Sequence, residues 1–412
     1  MPGTASIPKK RNNNQHQNNI NLTSANPQNK SLLKKMGKID LTFMFIIMIL
    51  MVFGVIMMYS ASYAWAIDED LSGDFYFRRQ AGHALLGFAF MFLASFFDYH
   101  YFAKYPLILV YGVFAVSTVL MLLTIFGPAS ITQEESDAKR WLDLPILPQF
   151  QPSEVLKFAV ILMFAYLISN NFTRRKKFWF VVPVFGCIFA VVLAMLAAQR
   201  HVSAILITCL IGAIMLFVAD INPWHLLFMA VVGALALYGI INIMKEGGMD
   251  YIASRVTAFA DPLNDSGDAN SWQIKNSLIA IGSGGLTGLG FGNSRQKFLY
   301  LPESKNDFVF AIVCEELGFA GALTVMILFV LLILRGFYIA VNAPDKFGML
   351  LAVGLTVQIG LQAMLNIAVV SNAFPCTGVS LPFFSYGGTA LVLQLAQMGI
   401  VLNISRQSLK KT

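Results

Sequence analysis

The feature that most constrains this chain is a series of long, unbroken apolar runs, beginning with "LTFMFIIMILMVFGVIMMYSA" from Leu41 to Ala61. Each run approaches the roughly 20 residues that an α-helix needs to cross the hydrocarbon core of a bilayer, where backbone N–H and C=O groups must be satisfied within the segment. Strands of a membrane barrel would alternate apolar and polar residues instead. With 57% hydrophobic and 12% charged residues in 412, the chain carries more apolar side chain than a soluble protein of this size buries. The expected fold is therefore an all-α integral membrane protein.

Ten spans are expected: Leu41 to Ala61, Gln80 to Phe97, Tyr105 to Phe126, Ser153 to Ser169, Phe178 to Ala198, Val202 to Ala219, Trp224 to Met244, Phe308 to Leu334, Gly348 to Val370 and Phe383 to Asn403. An even number puts both termini on one side. With that side cytoplasmic, the inner segments hold 17 of the 29 Lys and Arg but only four acids, Asp40, Asp98, Asp220 and Asp345. This is the positive-inside bias, so the +7 charge reads as a topology signal and not as nucleic-acid binding. Residues 1–38, Asn-rich and basic, are expected to form a disordered cytoplasmic tail rather than a signal peptide, with Lys34, Lys35 and Lys38 near lipid headgroups. Residues 39–405 form the membrane domain and 406–412 a second basic tail. Cys187, Cys209 and Cys314 lie in apolar runs and Cys376 in a loop, with no disulfide or metal spacing.

This topology leaves two outer loops, 127–152 and, between the seventh and eighth spans, 245–307. The second exceeds ordinary connections and is expected to be functional or separately structured. Its stretch "WQIKNSLIAIGSGGLTGLGFG" is too short and glycine-rich to span, so it lies along the interface or dips back toward the protein interior. No internal repeat is visible.

A charge at mid-membrane costs about 2.5–3.5 kcal/mol on insertion scales, so each must be paired, solvated by a cavity or near an interface. In "QPSEVLKF", Pro152 and Ser153 mark a helix start, and Glu154 and Lys157 share one face. They read either as an ion pair that orients the helix or as cavity-lining groups. Gln358, Gln362 and Asn366 form a polar stripe, for interhelical hydrogen bonds or for a cavity wall. "LPESKNDFVFAIVCEELG" sets Glu303, Lys305 and Asp307 at the mouth of the eighth span, with Glu315 and Glu316 two turns inside it. Asp307 alone suits a helix N-cap as readily as a reactive acid. Arg140, Arg255, Arg295 and Lys297, all expected on the same face, favour a phosphate-bearing substrate, which Arg and Lys clamp while a carboxylate accepts a proton. Each cation singly also reads as a solvated loop charge, and Glu315 and Glu316 as polar packing.

At these residues the chain resembles the SEDS family of bacterial cell-wall proteins, which contains division, elongation and sporulation members. The resemblance is carried by "KRWLDLPILPQFQPSEVLK", "SRVTAFADP", "NSLIAIGSGGLTGLGFGNSRQKFLYLPESKNDFVFAIVCEELG", "QAMLNIA" and "FPCTGVSLPFFSYGGTAL", between Lys139 and Leu391. "GNSRQKFLYLPE" followed by the acid is more like the division and sporulation types than the elongation type.

The resemblance implies a lipid II polymerase of the bacterial cytoplasmic membrane, active at the septum and on the extracytoplasmic side. Asp307 stands where the family's essential aspartate stands, with general base as its implied role. Arg140, Arg255 or Lys297, or a bound divalent cation, would stabilise the departing diphosphate; Glu154, Lys157, Glu303, Glu315 and Glu316 are further substrate-contact candidates. The implied partners are lipid II, a single-span class B penicillin-binding protein, other division proteins and membrane lipid. Two departures stand out. Lys305 and Asn306 replace the family's His-Thr or His-Ser, and Arg200-His201-Val202-Ser203 replaces Pro-Asp-Leu-Gly, putting a histidine where a carboxylate is usual. A lipid II flippase, an elongation or sporulation paralogue of the same polymerase and a transpeptidase-recruiting scaffold are the competing readings.

Overall fold

The computed structural model describes residues 37–128, 132–135, 138–144, 147–245, 250–262 and 269–408. The expected tail before Gly37, with Lys34 and Lys35, and the last four residues lie outside the described residues.

Helices occupy all the expected spans: α1 (Leu41–Asp68), α2 (Phe75–Phe96), a short α3 (His100–Lys104), a π-turn (Leu107–Tyr111) running into α4 (Gly112–Phe126), α5 (Pro152–Asn170), α6 (Phe178–Ala198), α7 (Val202–Val218), α8 (Pro223–Lys245), α11 (Val309–Val341), α12 (Lys346–Val370) and α13 (Gly388–Arg406). Among the described residues, seven helical segments are long and apolar enough to cross a membrane; α7 and the first part of α8 are apolar but shorter. Local chemistry sets the ends. Asp40 caps α1 by accepting from Phe43 N at 2.9 Å, and Arg335 of α11 bonds the same carboxylate at 2.9 Å. Asp345 caps α12 through Gly348 N at 2.8 Å. Pro152 opens α5, where its missing N–H is no loss. The centre of the bundle is α5 and α12, each 72% buried along its apolar window, against 22% for the segment Leu107–Phe126 at the periphery.

The expectation of an all-α fold is corrected in the first of the two loops expected on the outer side. Residues there form an antiparallel sheet, β1 (Thr132–Glu135), β2 (Ala138–Leu144) and β3 (Leu147–Phe150), in the order β1-β2-β3, with Thr132 opposite Leu142 and Leu142 opposite Phe150. Backbone beyond the helices still needs hydrogen-bond partners, and short strands supply them. The segment between α8 and α11, the second loop expected outside, holds two helices, α9 (Asp250–Ala260) and α10 (Ala269–Gly284).

The eighth span is interrupted rather than continuous. Gly318 has φ +65°, and a Cβ there would lie 2.3 Å from Gly288 N, so this crossing of two backbones requires glycine. The break exposes peptide groups that the glycine-rich stretch after α10 satisfies. Leu289 N and Gly290 N donate to the carbonyls of Glu315 and Glu316 at 3.0 and 2.9 Å, and Phe319 N donates to Gly285 O at 2.9 Å. The stretch thus dips back against protein, where irregular backbone is tolerated.

Candidate active site

A cavity of about 1320 Å³ is walled by the α1–α2 junction, β2, the starts of α5 and α7, α9, α10, residues 302–307 and the segment from Cys376 to Leu391. It gathers Arg140, Glu154, Lys157, Arg255, Glu303 and Asp307 from stretches far apart in the chain, together with Gln362 of the polar stripe.

Asp307 precedes α11, whose N-cap is Phe308 with no side-chain capping bond, so the acid does not occupy the cap position. Its backbone carbonyl accepts from Asn366 Nδ2 at 2.7 Å, and the same amide donates to Val379 O at 2.6 Å. Asn366 therefore uses its place in the stripe to tie the acid's backbone to the segment before α13. In that segment Gly378 has φ +67°, and a Cβ there would lie 3.1 Å from Asp307 Oδ2, so the missing side chain lets the carboxylate sit against the backbone. Two residues earlier, Arg255 Nη1 donates to Cys376 O at 2.7 Å. One short segment thus holds a guanidinium and flanks the acid. Glu303, at φ +55°, accepts from Asn306 Nδ2 at 2.5 Å, closing the turn that leads to Asp307.

The lining also gathers several cations. Lys157 donates to Glu154 at 2.6 Å within the protein interior, while Glu154 Oε2 is buried without a hydrogen-bond partner. His201, in the α6–α7 connection, is buried and its Nδ1 has no hydrogen-bond partner. Burial, and then the charges of Arg140, Lys157 and Arg255, push its pKa well below the ordinary imidazole value, so it is neutral near pH 7. Arg140 is steadied by donating to Arg200 O at 3.0 Å. The neutral imidazole therefore does not offset those three cations as a carboxylate would. Sequence reasoning noted His201 only as a departure and missed Arg79 and His83 of α2, which also line the cavity. The consecutive Arg78 and Arg79 just before the expected second span were the available signal.

Lys297, Glu315 and Glu316, expected as substrate contacts, do not line this cavity. Lys297 Nζ donates to Glu316 Oε1 (3.0 Å), Ser60 Oγ (2.9 Å) and Gly292 O (2.5 Å), and Ser60 donates to the same Glu316 oxygen at 2.5 Å. Glu315 accepts from Ser294 Oγ at 2.5 Å and from Arg295 N at 2.9 Å. These acids fasten the loop after α10 to α1 and to the broken helix. Among the described residues, no group of three or more His, Cys, Asp or Glu is placed to hold a metal ion.

A model of the FtsW/RodA/SpoVE family, described as cell cycle protein, matches residues 40–410. The chain belongs to this family. A probable peptidoglycan glycosyltransferase FtsW from Geobacter sp. (strain M18) is 37% identical over 90% of this chain and 98% of its own length. Stage V sporulation protein E of Bacillus subtilis (strain 168) is 36% identical over 90% of this chain and 97% of its own. Among solved structures, a chain from a peptidoglycan synthase complex, studied for its coordination of polymerization and crosslinking, aligns with a TM-score of 0.71 at 24% identity, covering 90% of this chain and 99% of that one. The rod shape determining protein RodA of Thermus thermophilus aligns at 0.64, also 24% identical, over 90% and 98%. These likenesses establish for this FtsW/RodA/SpoVE member the same membrane-protein fold.

Proposed function

We propose that this protein is a peptidoglycan glycosyltransferase of cell division, polymerising disaccharide-pentapeptide units carried on undecaprenyl diphosphate. The observation that carries the reading is that Asp307 opens onto a cavity also lined by Arg140, Lys157 and Arg255. An acid beside fixed cations suits a reaction in which a hydroxyl loses a proton and a diphosphate gains charge. Relatives at 35–37% identity, named as probable peptidoglycan glycosyltransferases, support the substrate class.

In this mechanism Asp307 accepts the proton of the acceptor sugar's 4-hydroxyl as that oxygen bonds to the donor's anomeric carbon. The bond from that carbon to the lipid diphosphate breaks, its electron pair leaves with the diphosphate, and inversion gives a β-1,4 link. Arg140, Lys157 and Arg255 offset the charge on the leaving group. The chain crosses the membrane ten times with both termini cytoplasmic, and the cavity faces outward, where the glycan strand grows. A class B penicillin-binding protein is the expected partner, in keeping with the synthase complex among the structural relatives.

The test is polymerisation by purified protein reconstituted with lipid II and its transpeptidase partner. Asp307→Ala should lower glycan-strand synthesis by about 10²–10⁴-fold, the usual contribution of a general base, with membrane insertion unchanged. Wild-type output from that variant would refute the role, and lipid II flipping without any polymerisation by the wild-type protein would favour a transporter.

A further inference from the structure

We propose that Lys305 is a positioning residue that sets Asp307 in the cavity through a latch to Glu69 and Tyr76; the idea rests on Asp307 being the base. A lysine two residues before a reactive acid invites assignment as a phosphate-binding cation, but the geometry gives it another task. Its ammonium donates to Glu69 Oε1 at 2.8 Å and to Tyr76 Oη at 2.9 Å, and the Tyr76 hydroxyl also donates to Glu69. The same nitrogen lies 4.1 Å from the centre of the Tyr76 ring and 4.9 Å from that of Trp65. Lys305, Glu69 and Tyr76 all border the cavity, but two of the ammonium's three donors are committed to the other two side chains and the lysine is only 13% exposed, so little remains for a diphosphate.

The neighbouring backbone is fastened from the same direction. Trp65 Nε1 donates to Ser304 Oγ at 2.9 Å, and Tyr386 N donates to Lys305 O at 2.9 Å. From the other side, Asn366 holds Asp307 O. Tethers from α1, α2, α12 and the segment before α13 therefore converge on residues 303–307, with the lysine as the charged tether. A shift of about 1 Å at a reacting group costs roughly 10²-fold in rate, so loosening the latch should act on turnover and not on substrate capture.

The experiment compares Lys305→Met, Glu69→Gln and the exchanged pair Glu69→Lys with Lys305→Glu, in the full-length protein with its transpeptidase partner. Both single variants should lower kcat by roughly 10–10²-fold with KM for lipid II within about threefold. Amide hydrogen exchange across residues 303–308 should quicken about tenfold while other segments keep their rates. The exchanged pair should recover both readouts, since it restores a charge pair at the same place. A rise in KM at constant kcat would make Lys305 a substrate contact and overturn the latch. Unchanged exchange rates, or slow turnover tracking a global loss of thermal stability, would overturn it too. Asp307→Asn serves as the control in the same assay. If that variant stays active the base reading fails, and the exchange measurement, which needs no turnover, still decides the latch.

Discussion

Two ion pairs in this molecule look alike by distance and burial and differ in what surrounds them. Lys157–Glu154 closes at 2.6 Å and Lys297–Glu316 at 3.0 Å, with no side chain among the four more than 8% exposed. Around Lys297 the hydrogen bonds are shared with Ser60 and a backbone carbonyl, and Glu316 Oε1 accepts three bonds, from Ser60, Lys297 and Ser294 N. Each glutamate leaves one oxygen, Glu154 Oε2 or Glu316 Oε2, buried and unbonded; the Lys157 pair differs in bordering the large cavity, whose lining also includes His201 with its unpartnered Nδ1. Desolvating two ions costs several kcal/mol each, and surrounding hydrogen bonds repay that cost only where they exist. The first region therefore has unused capacity beside open volume, as a binding site needs. The second resembles a fastening.

This contrast can be broken by substitution. Lys297→Met strands the Glu316 carboxylate in the interior and should destabilise the protein by about 3–5 kcal/mol, read as lost thermal stability in detergent, while turnover per folded molecule changes little. Replacing both members of the cavity pair, Glu154→Met with Lys157→Met, removes the charges together, which is often near neutral for stability. That variant should keep its melting temperature yet lose about 10²–10³-fold in polymerisation, the scale of removing an electrostatic stabiliser. If instead the cavity pair governs melting and the other governs rate, the distinction collapses.

Asn366 sharpens the comparison because it belongs to both regimes, a buried amide whose bonds reach the backbone of the proposed base, Asp307. Asn366→Ala leaves the carbonyls of Asp307 and Val379 without that donor. It should cost about 1–3 kcal/mol of stability, from the buried acceptors left behind, and lower kcat as well.

The smallest effect concerns pH. Burial alone would lower the pKa of His100, but its bonds to Asp345 (3.1 Å) and Asp98 (2.7 Å) raise it above the ordinary 6.5. Its stabilisation is fully present below pH 6.5 and is lost as pH rises through the raised value, so the melting temperatures of wild type and His100→Gln should converge toward alkaline pH. The Lys305–Glu69 latch behaves otherwise. Burial raises the Glu69 carboxyl, but Lys305 and Tyr76 bring it below its ordinary 4.5; burial lowers Lys305, but Glu69 and Tyr76 bring it above 10.5. The carboxylate's share is lost only as pH falls through its depressed value and the ammonium's only as pH rises through its raised one. The latch should therefore hold steadily between about pH 4.5 and the ordinary Tyr76 value of 10.0, and the protection factors of residues 303–308, with the intrinsic pH dependence of amide exchange divided out, should be flat across that range.

Much of the architecture was readable in advance because crossing a bilayer demands a long apolar helix, and Phe178–Ala198 was located to the residue. The sheet was not, because seven-residue "AKRWLDL" lacks the alternation that marks a strand and becomes one by pairing with its neighbours. Helices α9 and α10 were hidden inside what read as one long loop. Of the expected site residues, Asp307, Arg140, Glu154, Lys157, Arg255 and Glu303 meet in one cavity. Lys297 instead meets Glu316, and Glu315 meets Ser294 and the backbone N–H of Arg295, because Gly318 breaks α11 and lets the glycine-rich stretch return against it.

Composition and the spacing of apolar runs determined a helical membrane protein, and local charge patterns marked most of the groups around the cavity. Only the tertiary structure decided which charges meet empty space and which meet each other. The physical reason is that hydropathy is a property of a segment, whereas satisfaction of a buried polar atom depends on neighbours contributed by distant ones. Lys305 shows this most plainly: two residues from the acid in sequence, it is held by residues more than two hundred positions away.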